Sequence, residues 1–115
     1  MLDNITGQIL SIEEGVAVIK TGGLGWTILT TTHTAASLRV NTEVTLKTHL
    51  VVNDHAFVLF GFADGPERSL FRSLIQVNGV GPQSALILLS DFRPDDFAAA
   101  ILQENLDALT SVKGI

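Results

Sequence analysis

The pattern of apolar residues changes once along this chain, at Asp64-Gly65-Pro66, and that change restricts it to two kinds of structure in a fixed order. Before it, short β-prone runs follow one another. In Glu43 to Val52, Val44, Leu46, Thr48, Leu50 and Val52 share one face, while Thr45, Lys47, His49 and Val51 share the other. After it, Leu70, Phe71, Leu74 and Ile75 recur at helical spacing. A period-two pattern and a period of 3.6 cannot serve one element, so residues 1–63 are expected to form sheet and residues 66–111 helices.

Within the first part, Ile5 to Ile12 and Val16 to Lys20 are separated by Glu13-Glu14-Gly15, a hairpin signal. The glycine-rich turn Gly22-Gly23-Leu24-Gly25 precedes a third run, Trp26 to Thr32, rich in β-branched residues. Thr34 to Leu38 reads as one helical turn with Thr34 as its cap. After the alternating fourth run, Asn53-Asp54 marks a turn and Ala56 to Phe62 returns as a fifth strand. Five short strands favour a closed or partly open barrel, because closure removes exposed edges.

In the second part, the helical run through Leu74 and Ile75 stops at Asn78-Gly79-Val80-Gly81, and Pro82 starts another helix at once. Glycine makes positive φ available at little steric cost, and proline suits the first turn of a helix, where its missing N–H has no partner to lose. Such a turn directs free N–H groups and a positive helix end outward, which suits a phosphate. Two readings stand: a helix-hairpin-helix that grips nucleic-acid backbone without reading sequence, or a glycine-turned αα-hairpin that binds nothing. Ala85 to Leu89 is apolar almost throughout, as in a helix buried on most sides. Arg93-Pro94-Asp95-Asp96 opens a further helix carrying Phe97, Ile101 and Leu102, and a last one carries Leu106 and Leu109. Leu109 to Ile115 repeats the pattern of Leu74 to Val80, so a second hairpin is expected to begin there and to lack its second helix, as in a truncated chain.

Composition narrows the functional classes. The net charge is -5, and the seven basic residues form no cluster, whereas nucleic-acid binders usually carry a basic footprint. Any DNA-binding face must therefore be assembled by folding or by repetition in an oligomer. The chain has no cysteine, which removes disulfides and thiolate metal sites and fits the cytosol. No apolar run approaches the ~20 residues of a membrane span, and Met1-Leu2-Asp3-Asn4 lacks a basic leader. His33, His49 and His55 lack metal-ligand spacing, and Gly22-Gly23-Leu24-Gly25 lacks the Lys-Ser/Thr of a phosphate loop. Glu13-Glu14 and Asp95-Asp96 suit a turn and a first helical turn without catalysis. No enzyme and no cofactor are expected.

Several segments in register resemble the RuvA family of bacterial Holliday junction proteins. They are Gly22-Gly23-Leu24-Gly25-Trp26, His49-Leu50-Val51-Val52, Leu59-Phe60-Gly61-Phe62, Glu67-Arg68-Ser69-Leu70-Phe71 and Asn78-Gly79-Val80-Gly81-Pro82. Asp107-Ala108-Leu109 through Lys113-Gly114-Ile115 is similar to the approach to that family's second hairpin. The resemblance implies an OB-fold β barrel over 1–63, providing oligomerisation and an acidic pin, followed by an all-α helix-hairpin-helix domain over 66–115. It also implies a homotetramer that holds an open four-way DNA junction, a RuvB-type hexameric ATPase as motor through a C-terminal domain absent here, and a RuvC-type resolvase as a further partner. ATP would be used by the motor, not by this chain.

Carried over by residue, the resemblance makes Asn78, Gly79, Val80 and Gly81 the first-hairpin contacts to DNA backbone, with Gln83 and Ser84 opening the next helix beside the phosphate. Lys113 and Gly114 would belong to the second hairpin, and Asp54 would be the acidic pin. Three departures reduce the expected electrostatic effect. His55 follows Asp54 where the family usually has a second carboxylate, Gln83 stands where a lysine is often found, and the first strand reads Asn4-Ile5-Thr6-Gly7 where arginines are common. A different class, an acidic OB-like protein-interaction module with little DNA binding, is favoured by the net charge. The placement of Arg68, Arg72, Arg93 and Lys113 relative to the Gly79 turn discriminates the two.

Overall fold

Tight turns set the register of the first three strands. In the computed structural model, which describes residues 2–91, β1 (Asn4–Glu13) and β2 (Val16–Thr21) are joined by Glu14-Gly15 alone. Both turn residues have positive φ, +48° and +78°, the demand of a two-residue hairpin whose twist matches the strands. Gly22-Gly23 then joins β2 to β3 (Leu24–Thr30), with Thr21 opposite Leu24. A short helix α1 (Thr32–Ser37) leads to β4 (Glu43–Val52), and a four-residue loop to β5 (Phe57–Phe62) pairs Val52 with Phe57.

The five strands close into a barrel in the order β1-β2-β3-β5-β4, with β4 returning to β1. All pairings are antiparallel except β3 with β5, so this is the five-stranded OB-type arrangement. β1 serves two neighbours: Asn4 to Gln8 pair with β4, and Gln8 to Glu13 with β2, with a register shift between Ile9 and Ser11 that leaves Leu10 half-exposed. Ile5, Ile9, Ala17, Ile19, Ile28, Leu46 and Leu59 point inward at alternate positions and form one core with Leu38. Gly7 lies on the same inner row as Ile5 and Ile9. A Cβ there would sit 2.2 Å from the Lys20 carbonyl oxygen, so β1 can coil against β2 only with glycine at this point.

Several boundaries differ from the sequence expectation: Leu24 and Gly25 open the third strand instead of belonging to the glycine turn, and α1 spans Thr32–Ser37 instead of Thr34–Leu38. The third strand ends at Thr30 rather than Thr32, and the cap of α1 is Thr31, not Thr34. Thr31 has extended backbone and its hydroxyl accepts from the Thr34 N–H at 3.0 Å. Thr34 is buried inside α1, with its hydroxyl committed elsewhere.

The chain divides into two compact units, residues 1–68 and 69–115. Helix α2 (Gly65–Leu74) begins in the first and continues into the second. Asp64 caps its start, its Oδ1 accepting from the Glu67 N–H at 2.8 Å, which leaves the Glu67 carboxylate for other partners. In the second unit, α3 (Pro82–Asp91) buries Ala85, Leu88 and Leu89. Phe71, Leu74 and Val80 are also buried.

Candidate nucleic-acid interface

The end of α2 tightens before the chain reverses. Gln76 N–H donates to Ser73 O at 3.2 Å and Val77 N–H to Leu74 O at 3.0 Å, the three-residue spacing common in a last helical turn. Val77 to Val80 then forms a turn closed by Val80 N–H to Val77 O at 3.1 Å. Gly79 occupies its third position with φ +84°, where a type II turn requires a left-handed residue. The Val80 side chain is buried and pins the turn. Gly81 is exposed, Pro82 opens α3, and Ala85 N–H returns to Gly81 O at 2.9 Å.

This geometry divides the candidate contacts by role. Val80 spends its N–H inside the turn, whereas those of Gly79 and Gly81 take no part in closing it. Asn78 and Gln83 are exposed, and Ser84 is half-buried. The first turn of α3 contains no acidic residue, so nothing of its own competes for the positive helix end. Only Gly79 among the turn's glycines needs positive φ. Gly81 has ordinary φ and open space where a Cβ would stand, so its small size leaves the helix end accessible rather than permitting the turn. Backbone N–H groups beside a helix N-terminus form a site for a phosphate oxygen. Lys113 and Gly114 lie outside the described residues.

Asp54 is exposed in the loop of the β4–β5 hairpin, as is His55. Asn53 holds the loop: its Oδ1 accepts from the N–H groups of His55 and Ala56, both at 2.9 Å, and its own N–H donates to Ala56 O at 3.1 Å. The asparagine supplies the turn chemistry, which leaves the Asp54 carboxylate facing outward.

The sequence alone assigned no role to Glu67, a buried carboxylate. Glu67 is 4% exposed and its two carboxyl oxygens accept from the hydroxyls of Thr31, at 2.9 Å, and Thr34. The Thr34 hydroxyl also accepts from the Ala63 N–H at 2.9 Å. This network ties α1 to the strand exit and to the first turn of α2. The spacing Asp64-x-x-Glu67 is its visible trace in the sequence.

Arg68 is held by the barrel: its Nη1 donates to Asp3 O at 2.7 Å and to Asp3 Oδ1 at 3.0 Å. The Asp3 carboxyl is lowered from its ordinary pKa by the hydrogen bond from Asn4, then by the hydrogen bond and charge of Arg68. Arg72 is exposed in the last turn of α2, while Arg93 lies outside the described residues. Among the described residues there is no cluster of three metal-ligating side chains and no helix long and apolar enough to cross a membrane.

A closed five-stranded OB-type barrel followed by a glycine-turned helical hairpin joins the OB-fold class to the helix-hairpin-helix class. Residues 1–61 match the family described as RuvA N terminal domain, and residues 71–115 match the SAM-like helix-hairpin-helix tandem. The chain belongs to the RuvA family. All of it aligns with proteins named Holliday junction branch migration complex subunit RuvA: 44% identical over 115 residues in Thermobifida fusca, 41% over 115 in Beutenbergia cavernae and 37% over 116 in Coxiella burnetii. The chain spans 57–58% of the length of these relatives.

Proposed function

We propose that this chain binds four-way DNA junctions by their shape, through backbone phosphates and without reading sequence, as the non-catalytic subunit of a branch-migration complex in recombination and repair. The observation that carries this reading is the Val77–Pro82 turn, where Gly79 and Gly81 are exposed beside the acid-free N-terminus of α3. The names of its relatives support the junction as the DNA form. Gly79, Gly81 and Gln83 would offer N–H groups to a phosphate, and Asn78 and Ser84 would flank it. Asp54 would be the acidic pin, repelling phosphates where strands separate. Four copies of the chain would repeat the Val77–Pro82 hairpin around the junction, which compensates for the sparse basic residues. A RuvB-type motor would hydrolyse ATP, a RuvC-type resolvase would follow, and the complex would work in the cytoplasm.

Phosphate contacts position DNA while base edges specify it, so binding should ignore sequence and weaken steeply with salt. The test is titration of a labelled four-way junction and a linear duplex of equal length, at low and raised salt. Preference for the junction with a steep salt response supports the reading. Equal binding to both forms, or tight binding indifferent to salt, refutes it. The rival reading, an acidic protein-interaction module, draws on one observation: Arg68 is occupied by Asp3 rather than offered to DNA. No binding to either DNA form at low salt would favour that module.

A further inference from the structure

Phe57 is the most exposed large apolar side chain among the described residues, at 77%, and its cross-strand partner Val52 is 55% exposed. The pair closes the β4–β5 ladder, and the three Asn53 bonds brace the loop beyond it. The loop and ring line a shallow hollow of about 420 Å³ bounded by Asn53, Asp54, His55, Ala56 and Phe57. Phe57 and Val52, paired across the ladder, together present an apolar surface beside an exposed carboxylate.

We infer that Phe57 is a stacking platform for an unpaired nucleobase, with Asp54 and His55 meeting the polar edge of that base. The Asp54 carboxylate repels phosphate, so DNA backbone does not suit this hollow. A duplex hides its base faces in its own stack and has nothing to lay on the ring. An unpaired base offers a π face to Phe57, and adenine, cytosine and guanine offer amino N–H groups to a carboxylate. A second copy of the chain fits less well, because a two-fold contact through Phe57 would bring two Asp54 carboxylates together. The inference rests on the junction-binding reading, since a branch point is where stacking is interrupted and unpaired bases become available.

The test places 2-aminopurine at the branch point of a four-way junction, in the interior of an arm, and as a single bulged base in a duplex. The wild-type chain is expected to quench the branch-point and bulge probes and leave the arm probe unchanged. Phe57→Ala should abolish that quenching and weaken junction binding roughly tenfold, whereas Phe57→Tyr should retain both. An unchanged Trp26 emission spectrum would show that the variants fold. Junction binding without Phe57-dependent quenching overturns the base site and leaves the junction reading intact. Phe57-dependent quenching at the bulge without preference for the junction does the reverse. Concentration-dependent self-association that Phe57→Ala removes, with no quenching, would assign the ring to a second copy and also overturn the proposal.

Discussion

Glu67 offers the sharpest test of how the first unit holds together. Its carboxyl group accepts from two buried hydroxyls, Thr31 and Thr34, which are 0% and 1% exposed. Each hydroxyl oxygen already accepts a backbone N–H, from Thr34 and Ala63 respectively, so rotating the hydroxyl does not replace the lost acceptor. Glu67→Ala therefore strands two buried donors at about 1–3 kcal/mol each and opens a void, for a loss of about 3–5 kcal/mol. Glu67→Gln keeps the shape and one carbonyl acceptor but turns an amide donor toward the other hydroxyl, costing about 1–2 kcal/mol. Against a typical domain stability of about 5–15 kcal/mol, the alanine variant should lose a large share and the glutamine variant a small one. Urea unfolding followed by Trp26, the single tryptophan and a residue packed against the barrel core, measures both. Equal losses for the two variants, or losses below about 1 kcal/mol for both, would refute the account.

Three further outcomes follow from the geometry. Gly7→Ala should cost several kcal/mol in the same assay, because its Cβ would meet the Lys20 carbonyl at 2.2 Å, while Gly25→Ala, whose Cβ stands 3.7 Å from Val18, should be within about 1 kcal/mol of wild type. Gly79→Val should lower both helical-unit stability, by about 1–3 kcal/mol, and junction affinity, since φ is +84° there; Gly81→Val should spare stability but reduce affinity by crowding the end of α3, which thermal melts and junction titrations separate. The Asp3 carboxyl is depressed in the folded state, so its stabilising effect is present above about pH 4 and fades as the pH falls through its lowered folded pKa. Asp3→Asn should flatten that acid limb, and carboxyl NMR of wild type should place the Asp3 titration below the ordinary aspartate range.

What the sequence made legible was local. The hairpin signal at Glu13-Glu14-Gly15, the alternation through β4 and the break at Gly79 each reside in a few adjacent residues, and the structure turns at all the expected places, with Glu13 itself closing β1. What it hid depended on distant partners. Thr31 and Thr34 are equally good caps by composition, and the choice is made where Glu67 lies across α1 and takes the Thr34 hydroxyl. The placement of Arg68 stayed open in the sequence, because its partner Asp3 lies at the other end of the barrel sequence. The two glycines of the turn look alike on paper, yet only the backbone path shows that one supplies conformation and the other space.

The double pairing of β1 has a consequence for the chain as it leaves the ribosome. β1, β2 and β3 are joined by turns of two residues, so their meander can assemble while the rest of the chain is still being made. The leading half of β1 has no such neighbour. Asn4 to Gln8 wait for Glu43 to Lys47, and until β4 emerges the Ile5 edge is an unpaired strand end in a nascent protein. Closing that seam is the long-range, entropically costly step of the fold, and the interval before it is when this barrel is most open to mispairing with another chain.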